Sequence, residues 1–302
     1  MKAIPKIDVH AHAILWPEIT VPYNSAGKRK LTTAELFEEY YSKLNVEKCV
    51  ILPMLSPEGV SDTVPPQEAA MMAKQDPNRV LWFCSIDPRA GKNSPTADLG
   101  KILAHYKALG AKGVGEMTAH LYADDPKMEN LFSHCQEQNL PVTVHISPAL
   151  DGYGYGIVDD LGLPRLEKML KKHPNLKILG HSQPFWSEIG DNVTQENRNK
   201  YVTGKVVPGR LISLLREYPG LLCDLSAGSG ANALMRDRDF AARFIEEFSD
   251  RIFYGCDICI SGSAFPFELD AFLTSLRENG EITEENYYKI VRGNAVKLLN
   301  LE

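Results

Sequence analysis

The strongest constraint on the fold is a regular alternation of two patterns along the chain. Short runs rich in apolar and β-branched residues recur eight times, separated by stretches with the apolar periodicity of helices. Runs that are apolar throughout are typical of strands buried on both faces, as in a parallel sheet. Eight strand–helix units in series predict an α/β protein with a (β/α)₈ TIM-barrel fold. The predicted strands cover residues 4–9, 48–54, 79–86, 111–116, 141–146, 176–181, 221–225 and 251–256.

The lengths of the predicted loops agree with a barrel. Helix-to-strand connections are short, as at residues 139–140, whereas strand-to-helix connections are long at 13–31 and 182–206. A barrel builds its active site from the strand-to-helix loops, so that face is the expected site of function. The alternative is an open doubly wound sheet, but no glycine-rich dinucleotide motif follows the first strand. We expect a single domain over residues 1–302.

Charge and composition exclude several classes of partner. The net charge of −6 gives no basic surface for nucleic acid. No apolar run approaches the roughly 20 residues that span a bilayer, so no membrane association is expected. The six cysteines are scattered, and the first residues do not resemble a signal peptide, which favours a cytoplasmic location. We expect a small-molecule substrate, with a homodimer as the commonest oligomer among soluble proteins.

Five potential metal ligands or proton carriers lie at the C-terminal ends of predicted strands. His10 and His12 end the first strand, His145 the fifth and His181 the sixth, and Asp257 follows the eighth. A spacing of two residues puts His10 and His12 on one side of their strand. Imidazole and carboxylate groups suit Zn²⁺, Mn²⁺ or Fe²⁺. Any one of these histidines alone is better explained as a core or surface residue, but their shared position predicts a metal centre.

The order of these motifs resembles the amidohydrolase superfamily. The segments DVHAH, GHS and GCD, with the late segment RGNAVKLL, resemble its amidohydrolase-related branch (amidohydrolase family 2). That branch includes metal-dependent hydrolases and decarboxylases similar to aminocarboxymuconate-semialdehyde decarboxylase. The resemblance implies that His10, His12, His145 and Asp257 bind a divalent metal, with Zn²⁺ expected first. It also implies that His181 and Asp257 are catalytic, with Asp257 taking a proton from water at the metal.

The fourth strand adds Glu116 at its C-terminal end. Many members of the superfamily carry a carboxylated lysine or a glutamate there, which bridges two metals. We therefore expect Glu116 to be a metal ligand, which favours hydrolysis over decarboxylation. The alternative is a buried charge that is hydrogen-bonded within the site or to a loop.

Four further residues are predicted to contact substrate. Tyr153 lies in the segment DGYGYG after the fifth strand, and Trp186 closely follows His181, so both rings could wall a pocket. Ser226 follows the seventh strand and could donate to a substrate oxygen, and Arg210 could clamp a carboxylate. Each has a structural alternative: a glycine-rich loop, a packing contact, a helix cap and a solvated surface cation.

The sequence thus predicts a metal-dependent hydrolase that attacks the carbonyl of an amide, lactone or ester. The first alternative is a metal-dependent non-oxidative decarboxylase of a small unsaturated or aromatic acid, because the same ligands serve both reactions. The second is a non-catalytic protein that binds a metal or ligand on the same scaffold.

Overall fold

All eight predicted strands are present in the computed structural model, which describes residues 3–21, 27–55, 63–151 and 155–301. Two further short strands, β5 and β7, extend the sheet beside β6. The strands are β1 (Lys6–Ala11), β2 (Val46–Ile51), β3 (Val80–Trp82), β4 (Val114–Met117), β5 (Ala119–Tyr122), β6 (Val142–Ser147), β7 (Gly156–Val158), β8 (Ile178–His181), β9 (Leu221–Asp224) and β10 (Ile252–Phe253).

Backbone hydrogen bonds close these strands into a ring. Parallel pairing gives the orders β1-β2-β3 and β4-β6-β8-β9-β10. Between β3 and β4, Cys84 N donates to Gly113 O at 2.9 Å and Gly115 N donates to Cys84 O at 2.8 Å. Between β10 and β1, Val9 N donates to Tyr254 O at 3.1 Å. The predicted (β/α)₈ barrel is therefore confirmed.

Helices surround the barrel and follow the predicted periodicity. Thr32 caps the first helix through a capping box with Glu35. The prediction missed two short helices in strand-to-helix loops, Gln183–Ser187 and Ala227–Met235. No helix in the described ranges combines the length and apolarity needed to cross a membrane. The remaining helical segments are Thr33–Leu36, Phe37–Tyr41 (π), Ser42–Leu44, Pro66–Gln75, Gly100–Ala108, Pro126–Glu137, Pro164–Lys172, Arg210–Glu217, Arg238–Phe248, Ser249–Arg251 (3₁₀), Phe265–Glu278, Glu284–Tyr288, Lys289–Gly293 (π) and Asn294–Leu299.

Two apolar clusters stabilise this arrangement. The larger lies between the strands and the surrounding helices. The smaller takes side chains from five of the barrel strands and from Phe83, which directly follows β3, and the C-terminal helix adds Ala295 and Leu299. Burial of this kind is the main favourable term in folding. The members of the smaller cluster are Ile7, Val9, Val50, Leu52, Phe83, Leu179, Leu222, Phe253, Ala295 and Leu299.

A bulge in β1 decides which side chains reach the site. Asp8 pairs with Cys49 and Ala11 with Ile51, so β1 advances three residues while β2 advances two. The extra residue reverses the alternation of side chains between Asp8 and His10. Asp8 therefore turns towards the helices, where the Tyr41 hydroxyl donates to its Oδ2 at 2.7 Å. His10 instead lies beside Glu116 and Asp257.

Candidate metal centre

The five predicted groups at the strand ends come together at the C-terminal face of the barrel. His10 lies in β1, with His12 just beyond it. His145 pairs in register with His181 across β6 and β8. Asp257 N donates to His10 O at 2.8 Å, which fixes the loop after β10 against β1. His10, His12 and His181 are buried, whereas His145 and Asp257 keep partial exposure.

Three of these side chains have the spacing of metal ligands. His10 Nε2 and His12 Nε2 are 3.1 Å apart. Asp257 Oδ1 lies 3.3 Å from His12 Nε2 and 3.7 Å from His10 Nε2. Tetrahedral bonds of 2.0–2.1 Å to zinc require ligand atoms about 3.3 Å apart. The triad of His10, His12 and Asp257 could therefore hold a divalent ion with small adjustments.

Glu116 joins the same cluster from β4. Its Oε2 lies 3.3 Å from His12 Nε2 and 3.8 Å from His10 Nε2, and its side chain is 1% exposed. Neither carboxylate oxygen has a hydrogen-bond partner among the described residues. A buried polar group without a partner is costly. Burial alone would raise the pKa of Glu116, but the two histidines hold it well below its usual value. An ionised carboxylate in this position fits a cation.

His145 presents a neutral imidazole to the site. Burial lowers the pKa of His145 to about 4, so the ring is unprotonated at neutral pH. Its ring centroid lies 5.5 Å from that of His181, and its Nδ1 has no hydrogen-bond partner in the described part of the chain. Gly156 permits β7 to approach closely, since a Cβ there would lie 2.4 Å from His145 O. The unpaired carboxylate of Glu116 therefore fits a metal ion, and Glu116 groups with His10 and His181 at ligand spacing. His145 is in neither ligand group, and its Nδ1 faces Gly156 on β7, so its role as a ligand stays a prediction.

Asp224 is a buried member of this cluster that the sequence analysis missed. It ends β9, is fully buried, and accepts a hydrogen bond from His10 Nδ1 at 2.6 Å. The bond leaves His10 Nε2 facing the cluster. Burial alone would raise the pKa of Asp224, but His10 holds it below its usual value. The same rule that found the histidines, a polar residue ending a predicted strand, would also have found Asp224.

Ser226 contacts His181 rather than an open pocket. Its hydroxyl oxygen lies 3.0 Å from His181 Nδ1, and the residue is fully buried. The Nε2 atom of His181 lies 3.6 Å from Asp257 Oδ2. The structure therefore gives no support to the predicted contact of Ser226 with substrate, because β8 and β9 are adjacent and the hydroxyl meets His181 instead.

Trp186 also lies behind the site. It is 2% exposed, and its indole N–H donates to Asp224 O at 2.9 Å. Its ring packs edge-on against Phe185 and Phe244. The structure gives no support to the prediction that Trp186 walls a substrate pocket, because the short helix after β8 turns the ring into the core.

The structure gives no support to a carboxylate clamp at Arg210. Its guanidinium forms an ion pair with Glu167 on the neighbouring helix, with NH2 and Oε2 2.5 Å apart. Tyr153 lies outside the described residues.

The fold and site define a class of protein, a parallel α/β barrel with a histidine–carboxylate cluster at the C-terminal ends of its strands. The chain belongs to the amidohydrolase family, whose model matches residues 7–301. The predicted resemblance is therefore confirmed. No curated protein sequence matches the chain.

Solved structures show the same fold. An uncharacterised TIM-barrel protein from Bordetella bronchiseptica is 18% identical, covers 98% of both chains and has a TM-score of 0.65. A probable 2-pyrone-4,6-dicarboxylic acid hydrolase from Acinetobacter baumannii is 15% identical, covering 98% of this chain and 100% of its own, with a TM-score of 0.62. A dihydroxybenzoic acid decarboxylase from a Polaromonas species, with bound manganese, is 17% identical and has a TM-score of 0.60. The match covers 98% of this chain and 97% of the decarboxylase chain.

Removing His10, in β1, together with His12, just beyond that strand, should abolish metal binding. We expect protein purified without chelator or metal-affinity resin to carry about one or two equivalents of divalent metal. The His10→Ala/His12→Ala variant should carry almost none by plasma mass spectrometry. His105→Ala/His134→Ala, which removes two histidines on helices, is the matched control and should keep the wild-type content. Equal metal content in both variants would contradict the assignment.

Asp224→Asn should weaken metal binding without removing a ligand. Loss of the carboxylate that orients His10 is expected to lower metal affinity about 10–100-fold, as measured by competition with a chelator. Asp239→Asn, at an exposed acid on a helix, should leave the affinity unchanged. If Asp224→Asn binds metal as tightly as the wild type, Asp224 does not position His10 for binding.

Proposed function

We propose that the protein is a metal-dependent hydrolase that uses water to cleave an amide, lactone or ester of a small molecule. The observation that carries this proposal is the position of Asp257. Its Oδ1 lies 3.3 Å from His12 Nε2, and its Oδ2 lies 3.6 Å from His181 Nε2. One oxygen can thus face an ion while the other exchanges a proton with His181.

The proposed ligands are His10, His12, His145, Glu116 and Asp257. Zn²⁺ is the first candidate, and Mn²⁺ or Fe²⁺ suits the same mixture of nitrogen and oxygen donors. When bound, such an ion lowers the pKa of water towards ~7 and polarises a substrate carbonyl.

The protein's own groups would then carry the proton. Burial alone would raise the pKa of Asp257, but His10 and His181 hold it below its usual value, so the carboxylate is ionised and can accept a proton. His181 Nε2 faces this carboxylate, and Ser226 holds the ring through Nδ1. His181 can therefore relay the proton to the leaving group. Because Ser226 acts through His181, we assign it a positioning role.

Glu116 favours hydrolysis over the main alternative. Its charged, buried carboxylate lies 3.3 Å from His12 Nε2, where it can add a ligand or bridge to a second ion. The decarboxylase-like members that this chain resembles do not rely on a carboxylate at this position. A second ion would provide a further site for activating water or holding the substrate oxygen.

Decarboxylation of a small unsaturated or aromatic acid is the second candidate. The observation in its favour is that His181 could deliver a proton to a substrate carbon from the same position. The two reactions differ in their products, because decarboxylation releases CO₂ whereas hydrolysis releases an acid. We propose to screen lactones, amides and unsaturated acids in parallel, with mass spectrometry to detect the products of hydrolysis and a CO₂ assay to detect decarboxylation.

A non-catalytic binding protein is the third candidate. Binding alone requires no proton-transfer pair, yet Asp257 and His181 face each other across 3.6 Å. Turnover of any compound in the screen would exclude this candidate, provided that the turnover depends on those two residues.

Asp257→Asn and His181→Asn should each lower kcat by about 10²–10⁴-fold, because each removes a proton carrier. His181→Asn should keep its metal content, whereas Asp257→Asn should also bind metal less tightly. Ser226→Ala should cost less activity than either. Steady-state kinetics and plasma mass spectrometry on the same preparations test this. Unchanged turnover in both asparagine variants would show that the chemistry occurs elsewhere.

Glu116→Gln tests whether the fourth strand supplies a ligand. The substitution keeps the shape of the side chain and removes its charge, so we expect metal affinity to fall at least about tenfold, with loss of hydrolysis. A fall from two equivalents to one would indicate a bridging role. Glu188→Gln changes another buried acid, whose Oε1 accepts a hydrogen bond from Gly162 N, and serves as the control. If Glu116→Gln keeps the metal content and turnover of the wild type, Glu116 is not a metal ligand and is only a buried charge.

A further inference from the structure

We propose a second binding site, for a small organic anion, in a cleft at the opposite end of the barrel from the metal centre. The cleft has a volume of about 540 Å³, within the range of small-molecule pockets. Its lining includes residues 139–141, 175–177 and 250–251, which immediately precede β6, β8 and β10. It therefore lies at the N-terminal ends of strands whose C-terminal ends lead to the histidine–carboxylate cluster.

Three basic side chains, Lys177, Arg251 and Lys297, line this cleft. Burial lowers the pKa of Lys177, and the positive charges of Arg251 and Lys297 lower it further. Like charges gathered in a cleft create a positive potential that attracts an anion. The same three cations would lose their mutual repulsion when an anion binds between them.

The protein itself does not neutralise this charge. Asp250 is the one acid among the described residues that line the cleft, and its carboxylate pairs with Lys289 at 3.1 Å. Lys177 Nζ donates to Pro219 O at 3.2 Å, and Arg251 NH1 donates to Tyr218 O at 3.2 Å. These carbonyls orient the cations without cancelling their charge.

Apolar side chains in the lining define the rest of the ligand. Leu298 offers partly exposed apolar surface to the cleft, and Leu176, Leu222 and Phe253, which are 1–5% exposed, complete the apolar part of its lining. A fully hydrated inorganic ion gains little from such surfaces, whereas an organic body gains by burying apolar area. The expected ligand is a compact apolar body, such as an aromatic ring, that carries one or more carboxylates or phosphates.

The cleft is independent of the chemistry proposed at the metal centre, although the two sites share strands. Leu222 precedes Asp224 on β9. Phe253 ends β10, and Asp257 lies in the segment that follows that strand. An occupant of the cleft would therefore contact the same strands that position the metal centre. Binding at the cleft is measured directly, so the test does not depend on any activity.

Isothermal titration calorimetry with phthalate and with phenyl phosphate tests the proposal. We expect one equivalent of probe to bind the wild type, and at least about tenfold weaker binding to Lys177→Gln/Lys297→Gln. Lys43→Gln/Lys74→Gln removes the same charge from exposed helical positions and should bind as the wild type does. The probe that binds more tightly identifies the anionic group, carboxylate or phosphate.

Two measurements separate the cleft from the metal centre, which also attracts anions. Binding should persist in His10→Ala/His12→Ala, and crystals soaked with 4-bromophthalate should show bromine in the cleft. Equal affinity in the two lysine double variants would overturn the proposal. So would bromine at the metal centre alone, or the absence of heat for both probes up to about 10 mM.

Discussion

The hydrogen bond between Asp224 and His10 underlies the geometry of the whole candidate site. It joins the ends of β9 and β1 across 2.6 Å, inside a fully buried environment. Two further hydrogen bonds hold Asp224 in turn. The backbone N–H of Ser226 donates to its Oδ1, and the indole N–H of Trp186 donates to its backbone carbonyl. The carboxylate is thus oriented on several sides before any metal binds, which is how outer-shell groups fix ligand orientation.

Charge balance is the second constraint on this region. Glu116, Asp224 and Asp257 are surrounded by histidines, and each carboxylate has its pKa held below the usual value against the effect of burial. Isolated buried carboxylates would instead become protonated. Asp224 uses a protein partner, His10, whereas Glu116 has no hydrogen-bond partner among the described residues. The difference separates a carboxylate that orients a ligand from one that is available to an ion.

The two ends of the barrel differ in the charge they present. Acids and histidines meet at the C-terminal ends of the strands, where a cation fits. Lysine and arginine side chains meet at the N-terminal ends, where an anion fits. The apolar residues that fill the barrel separate the two regions, and their packing keeps both in fixed positions.

The sequence by itself determined the barrel and most of the metal centre. Alternating apolar runs and helical periodicity define eight strand–helix units, and parallel strands bring all their C-terminal ends to one face. His10, His12, His145, His181 and Asp257 were therefore predictable as neighbours from their positions alone. Glu116 followed from the same rule applied to the fourth strand.

Only the tertiary structure decided which polar side chains face that cluster and which support it. The bulge in β1 depends on pairing with β2, and it turns Asp8 away from His10 although regular alternation would place them on one side. Ser226 contacts His181 and Trp186 contacts Asp224 because β8 and β9 are adjacent. Such contacts join residues 38 to 45 positions apart. Local pattern carries no information about them, because they depend on the register and packing of whole strands.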